Sequence, residues 1–292
     1  MNLSVVVPTK NRPNELRNFL SSLWRQELLP DQLIIIDQSQ KTNVIDEEVK
    51  LKTSDLNIKL VYIHDEKIEG LVQAKSAAIQ HNKCSIISFF DDDIILEEEC
   101  LKEMYKAFSE NIKISAANGL ILNSNRESFF KRFVFRITHI GIYSDNRREV
   151  FYKLIDKKKE QQFPKKLNTL SGGLTFYRKE IFEKVPFDEK NRFHAYEDKE
   201  HSVRLELHYP NSMYLIPKAR LYHYHTLTNR ESQIIKVKND NIEIIKMFKK
   251  YRKESLYGID LLFLLMGVFS YTLVKAFKYK NTKYISNYFK GL

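Results

Sequence analysis

Four short runs of nearly pure apolar residues constrain this chain more than anything else in it: LSVVV (3–7), LIII (33–36), KLVYI (59–63) and SIISFF (85–90). A strand with one wet face alternates polar and apolar residues, whereas a strand covered on both faces does not need to. Helical periodicity fills the gaps between these runs. Leu16, Phe19, Leu20, Leu23 and Trp24 recur at i, i+3, i+4, i+7 and i+8, a helical run is predicted over 71–82, and Cys100, Leu101, Met104, Tyr105 and Phe108 share another helical face. Strand alternating with helix predicts an α/β fold whose mainly parallel sheet is flanked by helices. Ligands in such folds bind beyond the carboxyl ends of the strands. Thr9, Asp37 and residues 91–93 should therefore lie on one rim.

The fourth run ends in three consecutive aspartates, Asp91, Asp92 and Asp93. Like charges so close raise one another's pKa, and a divalent cation would relieve the repulsion. Hard oxygen ligands select Mg²⁺, Mn²⁺ or Ca²⁺, and Mg²⁺ is commonly held by one or two carboxylates together with substrate phosphates. The alternative is an acidic loop cap without a ligand. The next glutamates, Glu97, Glu98 and Glu99, are accounted for by the macrodipole at the start of a helix.

Residues 123–167 are polar and basic with weak periodicity, which predicts long excursions over the rim. Order returns over 167–185 as a strand containing Gly172 and Gly173, with a short helix after it. From residue 230 onward 13 Lys/Arg face 5 Asp/Glu, so this tail holds +8 of the net charge of +11. It also contains an uncharged run of fourteen residues, LLFLLMGVFSYTLV (261–274), shorter than the roughly 20 residues that a spanning helix needs. Basic flanks and tyrosines predict a helical segment lying on an anionic membrane surface; a core helix or an oligomer interface is the alternative. A basic chain without stacking motifs beside its lysines does not point to nucleic acid. The start of the sequence lacks a signal-peptide pattern, and Cys84 and Cys100 have neither metal-site nor disulfide spacing, so a reducing, cytoplasmic setting is expected.

No GxxxxGK[ST] and no GxGxxG is present, so neither a P-loop nor a dinucleotide fingerprint is supported. The segments SVVVPTKNRPNELRNFLSSL, IIIDQS, GLVQAKSAAIQHNKCSIISFFDDD, LSGGLTFYRKEIFEKVPFDE and AYEDKEHSVRL do resemble, in order, the motifs of family 2 glycosyltransferases with a GT-A fold, a Rossmann-like mixed sheet. The resemblance covers about residues 2–226 and divides the chain into a catalytic domain, 1–228, and the helical basic tail, 229–292.

The resemblance implies a role for each matching residue. Pro8 and Thr9, with Asn11 and Arg12 in the loop after them, would line the nucleotide pocket, and Asp37 would contact the base or ribose. Lys75 stands where an arginine is usual and would neutralise the diphosphate as a point charge. Asp91 and Asp93 match the DxD pair that holds the metal, with Asp92 between them on the donor side. Gly172 and Gly173 match an acceptor-side glycine pair, although a simple bulge would use the same residues. Glu197 and Asp198 match the ED motif, whose aspartate is the general base; their other reading is a solvated helix start with Glu200 and Arg204 as an i, i+4 pair. His223 or His225 would reach the metal or the diphosphate, or be structural.

Together these imply a Mn²⁺- or Mg²⁺-dependent inverting glycosyltransferase that takes a nucleotide-diphosphate sugar to a saccharide or lipid-linked saccharide acceptor. The setting would be assembly of bacterial surface polysaccharide, at the inner face of the cell membrane, with a homo-oligomer compatible. A sugar nucleotidyltransferase and a non-catalytic, membrane-bound nucleotide-sugar-binding module remain the other readings.

Overall fold

The computed structural model describes residues 1–40, 47–124, 127–156, 162–190, 196–225 and 232–292, with the side chains of residues 155 and 156 left out. All four apolar runs are strands: β1 (Leu3–Thr9), β2 (Gln32–Asp37), β3 (Lys59–His64) and β4 (Ile86–Phe90). They pair in parallel in the order β3-β2-β1-β4. Successive side chains point to opposite faces, and the core divides accordingly. Val5, Val7, Leu33, Ile35 and Phe90 meet one layer of helices; Val6, Ile34, Ile36, Ile87 and Phe89 meet the other. The first layer is α1 (Pro13–Leu23) and α4 (Cys100–Glu110), which bury the periodic faces read from the sequence. Across the sheet, α3 (Gly70–His81) contributes Val72, Ala74 and Ala78. Helix α2 (Glu47–Asp55) closes the β3 edge.

Beyond β4 the sheet becomes mixed. It continues through β8 (Leu174–Arg178, antiparallel to β4), β6 (Ala116–Ile121), β9 (Met213–His223) and β5 (Ile94–Leu96), with the two-residue β7 (Lys165–Lys166) against β9. The chain leaves β1 toward β2 on one side and returns through β4 on the other, so the strand order reverses between β1 and β4. That reversal opens a crevice at the carboxyl ends of these two strands.

Two expectations are corrected here. The 123–167 stretch is not an extended excursion throughout: it contains α5 (Phe129–Thr138) and α6 (Arg147–Asp156). Their periodicity is hard to read because neither helix buries a full apolar stripe in the core. Gly172 and Gly173 precede β8 in a turn instead of lying within the strand. The last strands lead into α7 (Glu197–His208), α8 (Gln233–Lys250), α9 (Ile259–Lys278) and α10 (Lys283–Lys290). The tail packs on the sheet-bearing part. Tyr143 donates its hydroxyl to the Ile244 carbonyl at 2.8 Å, Lys250 pairs with Asp188 at 3.0 Å and Glu200 at 2.6 Å, and buried Asp260 accepts the Ile142 N–H at 3.3 Å.

Two histidines in this fabric make the fold acid-sensitive. His201, among Tyr177, Phe182 and Phe187, is pushed down to about 3 by burial, and His139, stacked on Phe135, to about 4 by the same cause. A lowered histidine contributes stability above its unfolded value near 6.5, and that stability is lost as pH falls toward the folded value. At pH 5 each should cost roughly 2 kcal/mol relative to neutral pH. Urea unfolding at pH 7 and pH 5 should register the difference; equal midpoints would contradict it.

Candidate active site

The crevice between β1 and β4 is built by the residues that end those strands. Asp92 is buried, takes the Thr9 hydroxyl at 2.7 Å and one Arg12 nitrogen at 3.0 Å, and so ties the β1 end to the β4 end. Burial pushes its carboxyl up to about 6 against the lowering pulls of Thr9 and Arg12. With its middle member turned inward, the triplet directs its outer two members differently. Asp91 is half-buried and donates its backbone N–H to the Gly173 carbonyl at 2.9 Å. Asp93 lies 3.0 Å from His223 Nε2 through Oδ1, while Asp91 Oδ2 lies 3.6 Å from the same nitrogen.

Asp91, Asp93 and His223 thus offer two oxygens and one nitrogen, all within 4.8 Å of one another, a candidate metal site. The turn between β4 and β5 and the end of β9 supply it. His223 ends β9, which pairs antiparallel with β5 just after the triplet, at the register Ile94 to His223. Two carboxylate oxygens with one imidazole nitrogen are a donor set that suits a divalent cation. His225 has left the strand, with a φ of 43°, yet its ring centroid sits 3.8 Å from that of His223.

The glycine turn forms the wall behind these aspartates. A Cβ on Gly173 would stand 2.0 Å from Asp91 Oδ2, and one on Gly172 would stand 2.4 Å from Glu197 Oε1. The space left by the missing side chains is occupied by the chain's own carboxylates, so the two acidic motifs sit back to back across two residues of backbone. Asn118 holds this turn by accepting the Ser171 N–H at 2.8 Å and donating to the Leu174 carbonyl at 3.1 Å.

Behind the turn, Tyr196 adopts a left-handed φ of 57° and starts α7, which brings Glu197 and Asp198 to the helix N-terminus. The two residues have different surroundings. Glu197 is paired with Lys75 Nζ at 2.8 Å, where Lys75 is 1% exposed and lies 5.3 Å from the Phe187 ring centroid. Burial raises the Glu197 carboxyl, and Lys75 opposes the rise. Removing either partner would strand a buried charge, which is costlier than losing the pair as a unit. Lys75 therefore reaches Glu197 in the structure, in place of the open rim on which a diphosphate contact is expected from the sequence. Asp198 is more open: its Oδ2 accepts from Arg147 at 3.0 Å and its side chain is 29% exposed.

No motif in the sequence singles out Arg147. It also binds Asp145 at 2.7 Å, the Leu170 carbonyl at 2.9 Å and Ser171 Oγ at 3.0 Å, so it joins the glycine turn to the start of α7. Burial works against its charge, but Asp198 and Asp145 more than offset that and raise it further. Its one sequence signal is the pair of arginines in DNRR, within a stretch of weak periodicity. The alternative reading of α7 as a structural helix start is present alongside: Glu200 and Arg204 form a two-pronged pair with both bonds at 2.9 Å.

The remaining candidate residues surround the β1 and β2 ends. Pro8 is buried at the register of Ile36, and Asn11, with a φ of 55°, donates its N–H to Ser39 Oγ at 2.8 Å. Asp37 is fully buried and accepts from the Ser39 N–H at 2.9 Å and the Tyr62 hydroxyl at 2.7 Å. Its visible work is to shape the turn at residues 37–39.

The sequence of residues 4–186 matches the family described as Glycosyl transferase family 2. Among curated proteins, the chain is similar to glycosyltransferase GlyA of Streptococcus pneumoniae serotype 4, 23% identical over 190 residues, or 64% of this chain and 26% of that protein. It is also similar to the uncharacterized glycosyltransferase YwdF of Bacillus subtilis, 30% identical over 106 residues, or 36% of this chain and 38% of that one. The chain thus aligns with well under half the length of these relatives. Among solved structures, S. aureus TarS 1-349 in complex with UDP-GlcNAc superposes with a TM-score of 0.55 at 15% identity, covering 99% of this chain and 89% of that one. GalNAc-T7 with UDP, GalNAc and Mn²⁺ gives a TM-score of 0.60 at 15% identity, covering 85% of this chain and 48% of that one. At such identities the superpositions speak for the fold alone. The match over 4–186 takes in the crevice, the aspartate triplet and the glycine turn, and on that ground the chain belongs to glycosyl transferase family 2, on a GT-A-like fold.

Proposed function

We propose that this chain transfers a sugar from a nucleotide-diphosphate sugar to a hydroxyl acceptor, with inversion at the anomeric carbon and with a divalent cation. The observation that supports it most is the joint presence, on either side of Gly172 and Gly173, of a three-ligand cluster at the strand switch point and a partly exposed carboxylate at a helix start. The structural relatives with UDP-GlcNAc, and with UDP and Mn²⁺, support the same donor class.

In this reading Asp91, Asp93 and His223 hold the cation, which when bound neutralises the diphosphate and stabilises the charge of the departing nucleotide. The β1 end and the residue 37–39 turn form the floor for the nucleoside. Asp198 accepts the proton of the incoming hydroxyl, since a single displacement needs a base on the acceptor side. Arg147 fixes the orientation of Asp198. Glu197, with Lys75, props the glycine turn from beneath. The acceptor we favour is a saccharide or lipid-linked saccharide of a bacterial surface polymer, met at the cytoplasmic face of the membrane.

Incubation with UDP-, GDP- or dTDP-sugars, Mn²⁺ and a mixture of saccharide acceptors tests the reaction. A free nucleoside diphosphate and a glycoside of inverted configuration are expected. Pyrophosphate released from a nucleoside triphosphate would replace the proposal with a nucleotidyltransferase. Donor binding without turnover in the presence of competent acceptors would favour a non-catalytic module.

A further inference from the structure

Helix α5 is built the wrong way round for a helix on a protein in water. Its residues Phe129, Phe133, Ile137 and Phe130 fall within an arc of about 100° at the helical repeat. That stripe faces solvent: Phe129 is 79% exposed, Phe130 73% and Phe133 52%. Among its ten residues only Thr138 is buried. A surface helix ordinarily turns its apolar stripe to the core.

Helix α9 repeats the pattern alongside. Ile259, Leu262, Phe263, Met266, Val274 and Phe277 lie within an arc of about 120° at the helical repeat, and all six are exposed. The opposite side is occupied, with Asp260, Leu264, Thr272 and Ala276 buried along its length and the Tyr288 hydroxyl bonded to the Leu265 carbonyl at 3.0 Å. The two helices touch where a Cβ on Gly267 would come within 2.7 Å of Thr138. With 20 mostly apolar residues α9 is long enough to cross a bilayer, but crossing would strip the buried side from its protein contacts. Lying flat keeps them.

We infer that α5 and α9 together form a docking surface for an anionic lipid bilayer, lying in its interface with both apolar stripes in the acyl boundary. Charge decides the occupant. Arg132 and Arg136 flank the α5 stripe, and Lys278, Lys280 and Lys283 come after the α9 stripe, all of them exposed. Cations beside an apolar face suit acidic headgroups. A second copy of this chain would set that same basic rim against itself, because a two-fold contact pairs a patch with its own copy. The surface also adjoins the metal cluster: a cleft of about 510 Å³ runs from His223 and His225 to Ser128 and Lys131 at the start of α5. The sequence points to the tail alone as an anchor; the structure adds a helix from within the sheet-bearing part of the chain. The inference does not rest on the proposed reaction, so its test involves no turnover.

The full chain should float with phosphatidylcholine–phosphatidylglycerol vesicles and much less with phosphatidylcholine alone, with binding weakened by salt. Phe129→Ser with Phe133→Ser should lower partitioning at least about tenfold, and Arg132→Glu with Arg136→Glu should remove the preference for the anionic lipid. Leu51→Ser, an exposed change on α2, should bind as the parent chain, and circular dichroism should show each variant folded. No flotation of the parent chain would overturn the inference. So would unchanged flotation of the two phenylalanine changes, or a lipid-free dimer that those changes dissociate.

Discussion

Asp198→Asn should lower the transfer rate by about 10²–10⁴-fold, the usual share of a general base, while donor affinity stays near that of the parent chain. The asparagine retains the shape of the side chain and an oxygen for Arg147, which keeps Asp145, the Leu170 carbonyl and Ser171 as partners. The glycine turn and the start of α7 should therefore remain in place, and only the proton acceptor is lost. Because the cation cluster lies on the other side of Gly172 and Gly173, the change should appear in kcat and hardly in donor binding. Equal turnover would exclude Asp198 as the base. Loss of donor affinity in step with kcat would give it a binding role instead.

The second large effect concerns the aspartates. Asp93→Ala should reduce cation-dependent transfer by more than about a thousandfold, the scale of the several kcal/mol that a metal contributes to charge stabilisation. Asp93 stands 3.0 Å from His223 and is almost fully buried, so no other side chain can take over its position without moving β5 or β9. Asp92→Ala should behave differently. It removes the tie between Thr9 and Arg12, and so loosens the β1 end without deleting a metal ligand. Initial rates at saturating and limiting Mn²⁺ separate the two cases; equal losses in both variants would contradict the assignment.

Much of this site is legible because neighbouring residues in sequence set it up. A run such as SIISFF has one place in an α/β fold, and the residues just after it must meet the rim; that locates Asp91 and Asp93. The helix faces of α1 and α4 are legible for the same reason, since their periodic residues reach the core. The partners are not legible. Lys75 meets Glu197 across 122 residues of sequence, and Arg147 meets Asp198 across 51. Such pairings depend on strand order, above all on the antiparallel insertion of β8 between β4 and β6, which no local pattern encodes. Helix α5 stays hidden because its apolar stripe serves the outside of the molecule, so its phenylalanines look like scattered residues in a basic loop.

Carboxylates at the strand switch point, with His223, should take up a dication together with a nucleotide-diphosphate sugar. Titration calorimetry of Mn²⁺ in the presence of UDP-, GDP- and dTDP-sugars, on the parent chain and on Asp91→Ala with Asp93→Ala, measures this most directly. Uptake with one donor class, abolished by the double change, is expected. Donor binding of equal strength in both proteins, without manganese uptake by either, would contradict it.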